Sequence, residues 1–212
     1  MDGVIFDVDG TLWDSTDVVA KAWNKAIMDN SNLKTAITGD TLKSLFGKTM
    51  HEITSALMPS LPFEEQTRIG YLCFDLENEM LRKEPGILYP GVRETFAALS
   101  KKTRLFIVSN CQCDYIEIFL ETMGLTSYVT DHLCYGQTQT PKDETIALLM
   151  ERNHLSQAVY VGDTQGDYDS CQKAGLPFIW AGYGFGNVPD ANFRISGMEE
   201  LLPLLTQMNA FV

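Results

Sequence analysis

The stretch Val4-Ile5-Phe6-Asp7-Val8-Asp9-Gly10-Thr11 decides how this chain is read. Its first three residues are apolar, and so short an apolar run fits a strand buried on both faces of a parallel sheet. Asp7 and Asp9 then stand where that strand ends and the chain turns away through Gly10. In open α/β sheets, ligands bind outside the carboxyl ends of the strands. Two carboxylates at such a place are costly unless they bind a cation or share chemistry. A buried structural pair is the alternative, and three further polar strand ends argue against it.

Working outward, the pattern changes to helical. Ser15 is placed to cap a helix whose stripe is Val19, Trp23, Ala26 and Ile27. A short helix follows Asp40 and ends before Gly47, and another carries Met50, Ile53 and Leu57 up to Pro59. Pro62 opens a long helix with Ile69, Leu72, Cys73, Leu76 and Met80 on its apolar face. Residues 14–84 therefore read as an all-helical insert. From Pro90 onward strands and helices alternate, with strands at Leu105–Val108, around Tyr128–Asp131, at Ala158–Val161 and at Phe178–Trp180. A glycine-rich loop, 182–186, and a leucine-rich final helix follow. The pattern implies an α/β, doubly wound, mostly parallel Rossmann-like sheet, residues 1–13 and 85–212, interrupted by the helical insert.

Polar residues recur at the strand ends. Ser109-Asn110 follow the second strand, Lys142 opens a helix, and Gly162-Asp163-Thr164-Gln165-Gly166-Asp167 follow a later strand. Singly, Ser109 and Asn110 read as a helix cap, Lys142 as a solvated side chain, and Asp163 and Asp167 as carboxylates serving a helix dipole. All four sets in order, each at a strand end or helix start, point to one site.

Composition narrows the function. The chain has 212 residues, 45% of them hydrophobic and 21% charged, ordinary for a globular protein. A net charge of −12 argues against non-specific nucleic-acid binding and repels anionic substrates at long range. A phosphate would need local positive charge, from a metal or a placed lysine. No apolar run is long enough to span a membrane, and no signal peptide is recognisable, so a cytoplasmic location is expected. The five cysteines (Cys73, Cys111, Cys113, Cys134, Cys171) show no zinc-type pairing and read as packed thiols. Cys111 and Cys113 lie near an expected helix start, which would lower a thiol pKa and open a redox role. Oligomeric state is not legible.

Taken together, Asp7, Asp9 and Thr11, then Ser109, then Lys142, then Asp163 and Asp167 resemble the motifs of the haloacid dehalogenase-like superfamily, mostly phosphatases and phosphotransferases. The helical insert resembles that superfamily's C1-type cap, as in the phosphoglycolate phosphatase and β-phosphoglucomutase-like branch. The resemblance implies strand order 3-2-1-4-5, with the Asp7 strand central. It implies Asp7 as a nucleophile forming an aspartyl-phosphate and Asp9 as general acid and base. Ser109 would bond a phosphoryl oxygen, and Lys142 would add positive charge. Mg²⁺ would be held by Asp7, the main-chain carbonyl of Asp9, and Asp163, with Asp167 in support. Thr11 and Asn110 join the expected substrate-binding set.

The second acid, Asp9, favours phosphoryl transfer over dehalogenation, because the dehalogenases lack it. The cap's specificity loop is expected at Phe46-Gly47-Lys48-Thr49-Met50. Related sugar-phosphate mutases carry cations where this chain has Phe46 and Met50. Lys48 and Lys43 are weak candidates for a Schiff-base lysine, and Trp13, Phe46 and Met50 for an apolar pocket wall. The reading is a Mg²⁺-dependent hydrolase of a small phosphorylated metabolite, without nucleic-acid or membrane partners. A phosphomutase, or a non-catalytic binding protein of the same fold, are the alternatives.

Overall fold

The computed structural model describes residues 1–34 and 36–209. Its strands are β1 (Gly3–Phe6), β2 (Trp13–Asp14), β3 (Ile87–Leu88), β4 (Arg104–Ser109), β5 (Val129–Cys134), β6 (Ala158–Gly162), β7 (Phe178–Ala181) and β8 (Phe193–Ile195). Six of them form one sheet in the order β5-β4-β1-β6-β7-β8. All neighbours in that sheet are parallel, and β1 lies between β4 and β6. The expected five-strand order is present, and β8 extends it at one edge. Three residues are too few to show a periodicity, and Phe193 and Arg194 are exposed, so this edge strand carries no apolar signal.

Side chains alternate across the sheet, as the pleat requires. Val4 and Phe6 of β1 join Leu105, Ile107, Val159 and Val161 on one face. Ile5 joins Phe106, Val108, Tyr160 and Phe178 on the other. All three β1 side chains are fully buried. Each such burial is worth roughly 1.5–3 kcal/mol, which anchors the strand that carries Asp7.

Four helices fill the insert: α1 (Thr16–Asn30), α2 (Gly39–Lys43), α3 (Met50–Leu57) and α4 (Phe63–Lys83). The two long ones, α1 and α4, pack against each other, and Trp23 of α1 is fully buried beside Phe74 and Glu77 of α4. The buried line on α4 is Ile69, Cys73, Glu77 and Leu81. The periodicity had put Leu72, Leu76 and Met80 inward; the helix is turned so that these are half-buried and a glutamate faces in. Six further helices complete the chain among the described residues: α5 (Val92–Leu99), α6 (Tyr115–Thr122), α7 (Tyr135–Thr138), α8 (Lys142–Arg152), α9 (Gln165–Ala174) and α10 (Leu201–Asn209). No helix among the described residues is long and apolar enough to cross a membrane.

Chain entry to and exit from the insert are tied together. β2 and β3 pair antiparallel, Trp13 with Leu88 and Asp14 with Ile87. Asp14 thus belongs to this two-stranded ribbon, not to the helical run that starts at Thr16. Two helix caps also differ from expectation. Ser15 sits at the α1 N-cap position, but its hydroxyl makes no cap bond; it is turned to Asp9. Helix α9 begins at Gln165, within the motif 162–167 itself, because Thr164 and Asp167 form a capping box.

Candidate active site

The carboxyl ends of β1, β4 and β6 converge with the start of α8. Asp7, Asp163 and Asp167 offer carboxylate oxygens within 4.8 Å of one another, and all three residues are buried. Lys142, at the first turn of α8, reaches into this group. Its Nζ lies 2.8 Å from Asp7 Oδ1 and 2.6 Å from Asp167 Oδ1. A solvated lysine is thereby ruled out at this position, since Lys142 is only 5% exposed. Burial works against its charge, but Asp167 and Asp7 outweigh it and hold the ammonium well above its ordinary pKa. Burial pushes Asp7 up to about 6, opposed by Lys142. Asp163 rises well above the carboxylate range, from burial first and then from the charges of Asp167 and Asp7.

Each carboxylate is also positioned. Asp167 Oδ2 accepts from the Thr164 amide (3.0 Å) and hydroxyl (2.7 Å). Asp163 accepts from Thr11 Oγ1 at 3.3 Å and from the Phe185 amide at 2.7 Å. The glycine-rich loop therefore wraps Asp163. Gly10, at φ 79°, and Gly184 lie so close to Asp163 that a Cβ at either would collide with it. Thr11, placed in the substrate set by resemblance, spends its hydroxyl on Asp163 and is not in the wall of the adjoining cavity.

Asp9 stands apart from that triad. Its Oδ1 accepts from Trp13 Nε1 (3.1 Å), Ser15 Oγ (2.9 Å) and Tyr115 OH (2.6 Å). All of these bonds fall on one oxygen, which leaves Oδ2 to the cavity. Burial raises Asp9 to about 7, against the Tyr115 hydrogen bond and with help from the Asp7 charge. Trp13, expected in a pocket wall, instead packs edge-on against Tyr115 and Phe119 and holds Asp9.

Above Asp7 and Asp9 lies a cavity of about 30 Å³ walled by Ser109, Asn110, Phe46, Lys48 and Met50, among others. The segment 46–50 thus lies over the acids, with Phe46, Gly47, Lys48 and Met50 in the cavity wall. It is held from both sides: Asn110 Nδ2 donates to the Gly47 carbonyl at 2.8 Å, and Gly47, at φ 90°, abuts Thr164. Phe46 sits 6.3 Å from the Phe185 ring, and Lys43 is engaged elsewhere, 3.0 Å from Asp14. Three polar cavity residues, Glu77, Gln112 and Tyr115, went unread in the sequence, and Trp23 was read only as part of a helix stripe. Trp23 Nε1 donates to Glu77 Oε2 at 2.5 Å, and Gln112 Nε2 to Glu77 Oε1 at 3.1 Å. Burial raises Glu77 to about 7. Tyr115 and Gln112 flank the α6 start, and only the three-dimensional meeting of α4, α6 and β1 shows their role.

Cys111 and Cys113 do lie just before the start of α6 at Tyr115, but their thiols are not depressed there. Burial instead raises Cys111 well above its ordinary value and raises Cys113.

The donor set suits a hard divalent cation. It holds only carboxylates, with no cysteine or histidine ligand. With all three ionised, the carboxylates against one ammonium carry a net charge of −2 in a buried site, which a divalent cation balances and whose mutual repulsion helps to raise Asp7 and Asp163. Each of the three carboxylates keeps at least one oxygen with a lone pair free, although Asp167 Oδ2 is filled by its two Thr164 donors.

The sequence pattern of the haloacid dehalogenase-like hydrolase family matches residues 4–181. A phosphoglycolate phosphatase of Shigella dysenteriae is 27% identical over 244 aligned positions, covering 96% of this chain and 92% of its own. The crystal structure of a predicted phosphoglycolate phosphatase from Haemophilus somnus has the same fold, with TM-score 0.82 at 22% identity over 97% of this chain and 98% of that one. A predicted phosphatase from Clostridium acetobutylicum superposes with TM-score 0.80 at 20% identity, over 97% of this chain and 98% of its own. The chain belongs to the haloacid dehalogenase-like hydrolase family. Among these relatives its place is that of a phosphoric monoester hydrolase.

Proposed function

We propose that this chain hydrolyses a small phosphomonoester through a phosphorylated Asp7, with Mg²⁺ as cofactor. The observation that supports it best is the buried group of Asp7, Asp163, Asp167 and Lys142, with Asp9 beside it at the mouth of β1. Lys142 engages one oxygen of Asp7 and keeps the carboxylate charged, so the other oxygen attacks phosphorus. As the new bond forms, the bond from phosphorus to the leaving oxygen breaks, and Asp9 Oδ2 delivers a proton to that oxygen. Water then attacks the phosphorylated Asp7 at phosphorus, Asp9 takes its proton, and Asp7 is released as carboxylate. Trp13, Ser15 and Tyr115 fix the Asp9 carboxyl for both transfers. Ser109 lies in the cavity wall, where its hydroxyl can meet a phosphoryl oxygen. Mg²⁺ held by Asp7, Asp163 and Asp167, with the Asp9 carbonyl, would screen nucleophile from phosphoryl group.

The insert, residues 14–84, serves as a lid on a core formed by 1–13 and 85–212. Substrate cavities are commonly about 300–1,000 Å³, and the closed cavity here is about 30 Å³. The wall at Phe46–Met50 must therefore withdraw to admit substrate, pivoting at the β2–β3 ribbon. The test is phosphate release from a panel of phosphomonoesters with Mg²⁺ titrated in. Saturable dependence on Mg²⁺, lost in Asp163→Asn, is expected. Equal turnover in chelator would refute the cofactor, and absence of phosphate release from every ester would refute the reading.

A further inference from the structure

The wall opposite Asp7 and Asp9 presents hydrogen-bond acceptors. Gln112 is 8% exposed, and its Oε1 is buried with no partner. Its orientation is fixed by its other end, because Nε2 donates both to Glu77 Oε1 (3.1 Å) and to Asn78 Oδ1 (3.0 Å). Turning the amide round would set an oxygen against two acceptors. The carbonyl is therefore fixed as a buried, unpaired acceptor on a residue that lines the cavity together with Glu77 and Asp9.

The charge beyond it has the same sense. Gln112 and Met50 also line a second cavity of about 230 Å³, which runs outward between α3, α4 and the core. That cavity has Asp75 and Asp114 on its walls and no lysine or arginine. Across the two cavities Lys48 is the only such cation among the described residues, and it is exposed to solvent. A leaving group with a carboxylate would bring its charge to two acidic residues and an unpaired carbonyl. One with an N–H or O–H donor would satisfy that carbonyl.

We infer that Gln112 and Glu77 select phosphomonoesters whose leaving group carries a hydroxyl or ammonium donor close to the ester, and reject those that carry a carboxylate there. This deepens the proposed hydrolase reading and rests on it. It also separates this chain from what the name of its phosphoglycolate phosphatase relatives would suggest. A buried acceptor left unpaired by the wrong ligand loses roughly 10- to 100-fold in affinity.

Binding tests this without requiring turnover. In Asp7→Asn with Mg²⁺, calorimetric titration with phosphoethanolamine, glycerol 3-phosphate and phosphoglycolate should give dissociation constants at least tenfold lower for the first two. The first two also separate ammonium from hydroxyl as the preferred donor. Gln112→Met, similar in size but without the acceptor, should cut that preference severalfold. Should Gln112→Met fail to fold, the ranking in the Asp7→Asn background still decides. Tighter binding of phosphoglycolate, from capture by Lys48, would overturn the inference and leave the hydrolase reading intact. No binding of any of the three would overturn both.

Discussion

Glu77 offers a prediction whose size follows from its surroundings. It is 3% exposed, and its two oxygens accept from Trp23 and Gln112. Burial raises its pKa from 4.5 to about 7. The folded protein therefore binds this proton more tightly than the unfolded chain does. The stability linked to it is fully present below the unfolded value and is lost as pH rises toward and through 7. Between pH 5 and pH 8 this one group costs the folded state about 2–3 kcal/mol. Glu77→Gln cannot titrate. It also turns an amide NH₂ toward one of the two donors, which costs about 1–2 kcal/mol at every pH. The variant should be less stable than wild type at pH 5, and the gap should close or reverse by pH 8. Urea unfolding of both proteins at pH 5, 6, 7 and 8 in chelator measures this. The difference between the two curves cancels Asp7 and Asp163, which shift in the same direction, and leaves Glu77 together with the smaller part of the Asp9 shift that the Glu77 charge causes. A difference independent of pH would refute the reasoning.

Other perturbations follow from the same geometry. Tyr115→Phe removes one of the donors that fix Asp9, and should lower kcat by roughly 10-fold or more while leaving the Mg²⁺ half-saturation unchanged; an unchanged kcat would show that Asp9 needs no such support. Gly10→Ala places a Cβ against the Asp163 carboxylate at positive φ, so thermal melts should show loss of the Mg²⁺-induced stabilisation along with lower stability. Asn110→Ala cuts the tie to the Gly47 carbonyl, and hydrogen exchange in residues 46–50 should speed up while the sheet stays protected.

The site and most of the fold were legible where one residue type has one physical use. An apolar strand ending in two aspartates at a glycine turn marks a strand end under chemical demand, and Gly10 is indeed forced by Asp163. Lys142, taken alone, read as solvated, and only its place in the ordered set of motifs marked it out. What stayed hidden depends on side chains that serve a distant partner. Ser15 has the identity of a helix cap but is taken by Asp9. Asp167 was legible as a first-turn carboxylate as well as a site residue, but the cap of α9 is Thr164, not Asp163, whose carboxylate is turned to Thr11 and the Phe185 amide. Glu77 lies on a helix whose apolar spacing was read one strip away, and a glutamate gives no sequence sign of being buried. Phe193–Ile195 is too short and exposed for any pattern to mark it.

The central claim is that Asp7 carries the phosphoryl group. The direct measurement is rapid acid quench of wild type with a ³²P-labelled ester that it turns over, in the presence of Mg²⁺, followed by peptide mapping. Label should appear on the peptide containing Asp7 within the first turnover, chase off into inorganic phosphate, and be absent from Asp7→Asn, which should not turn over. Turnover by Asp7→Asn at the wild-type rate, or label that never leaves another residue, would contradict the account.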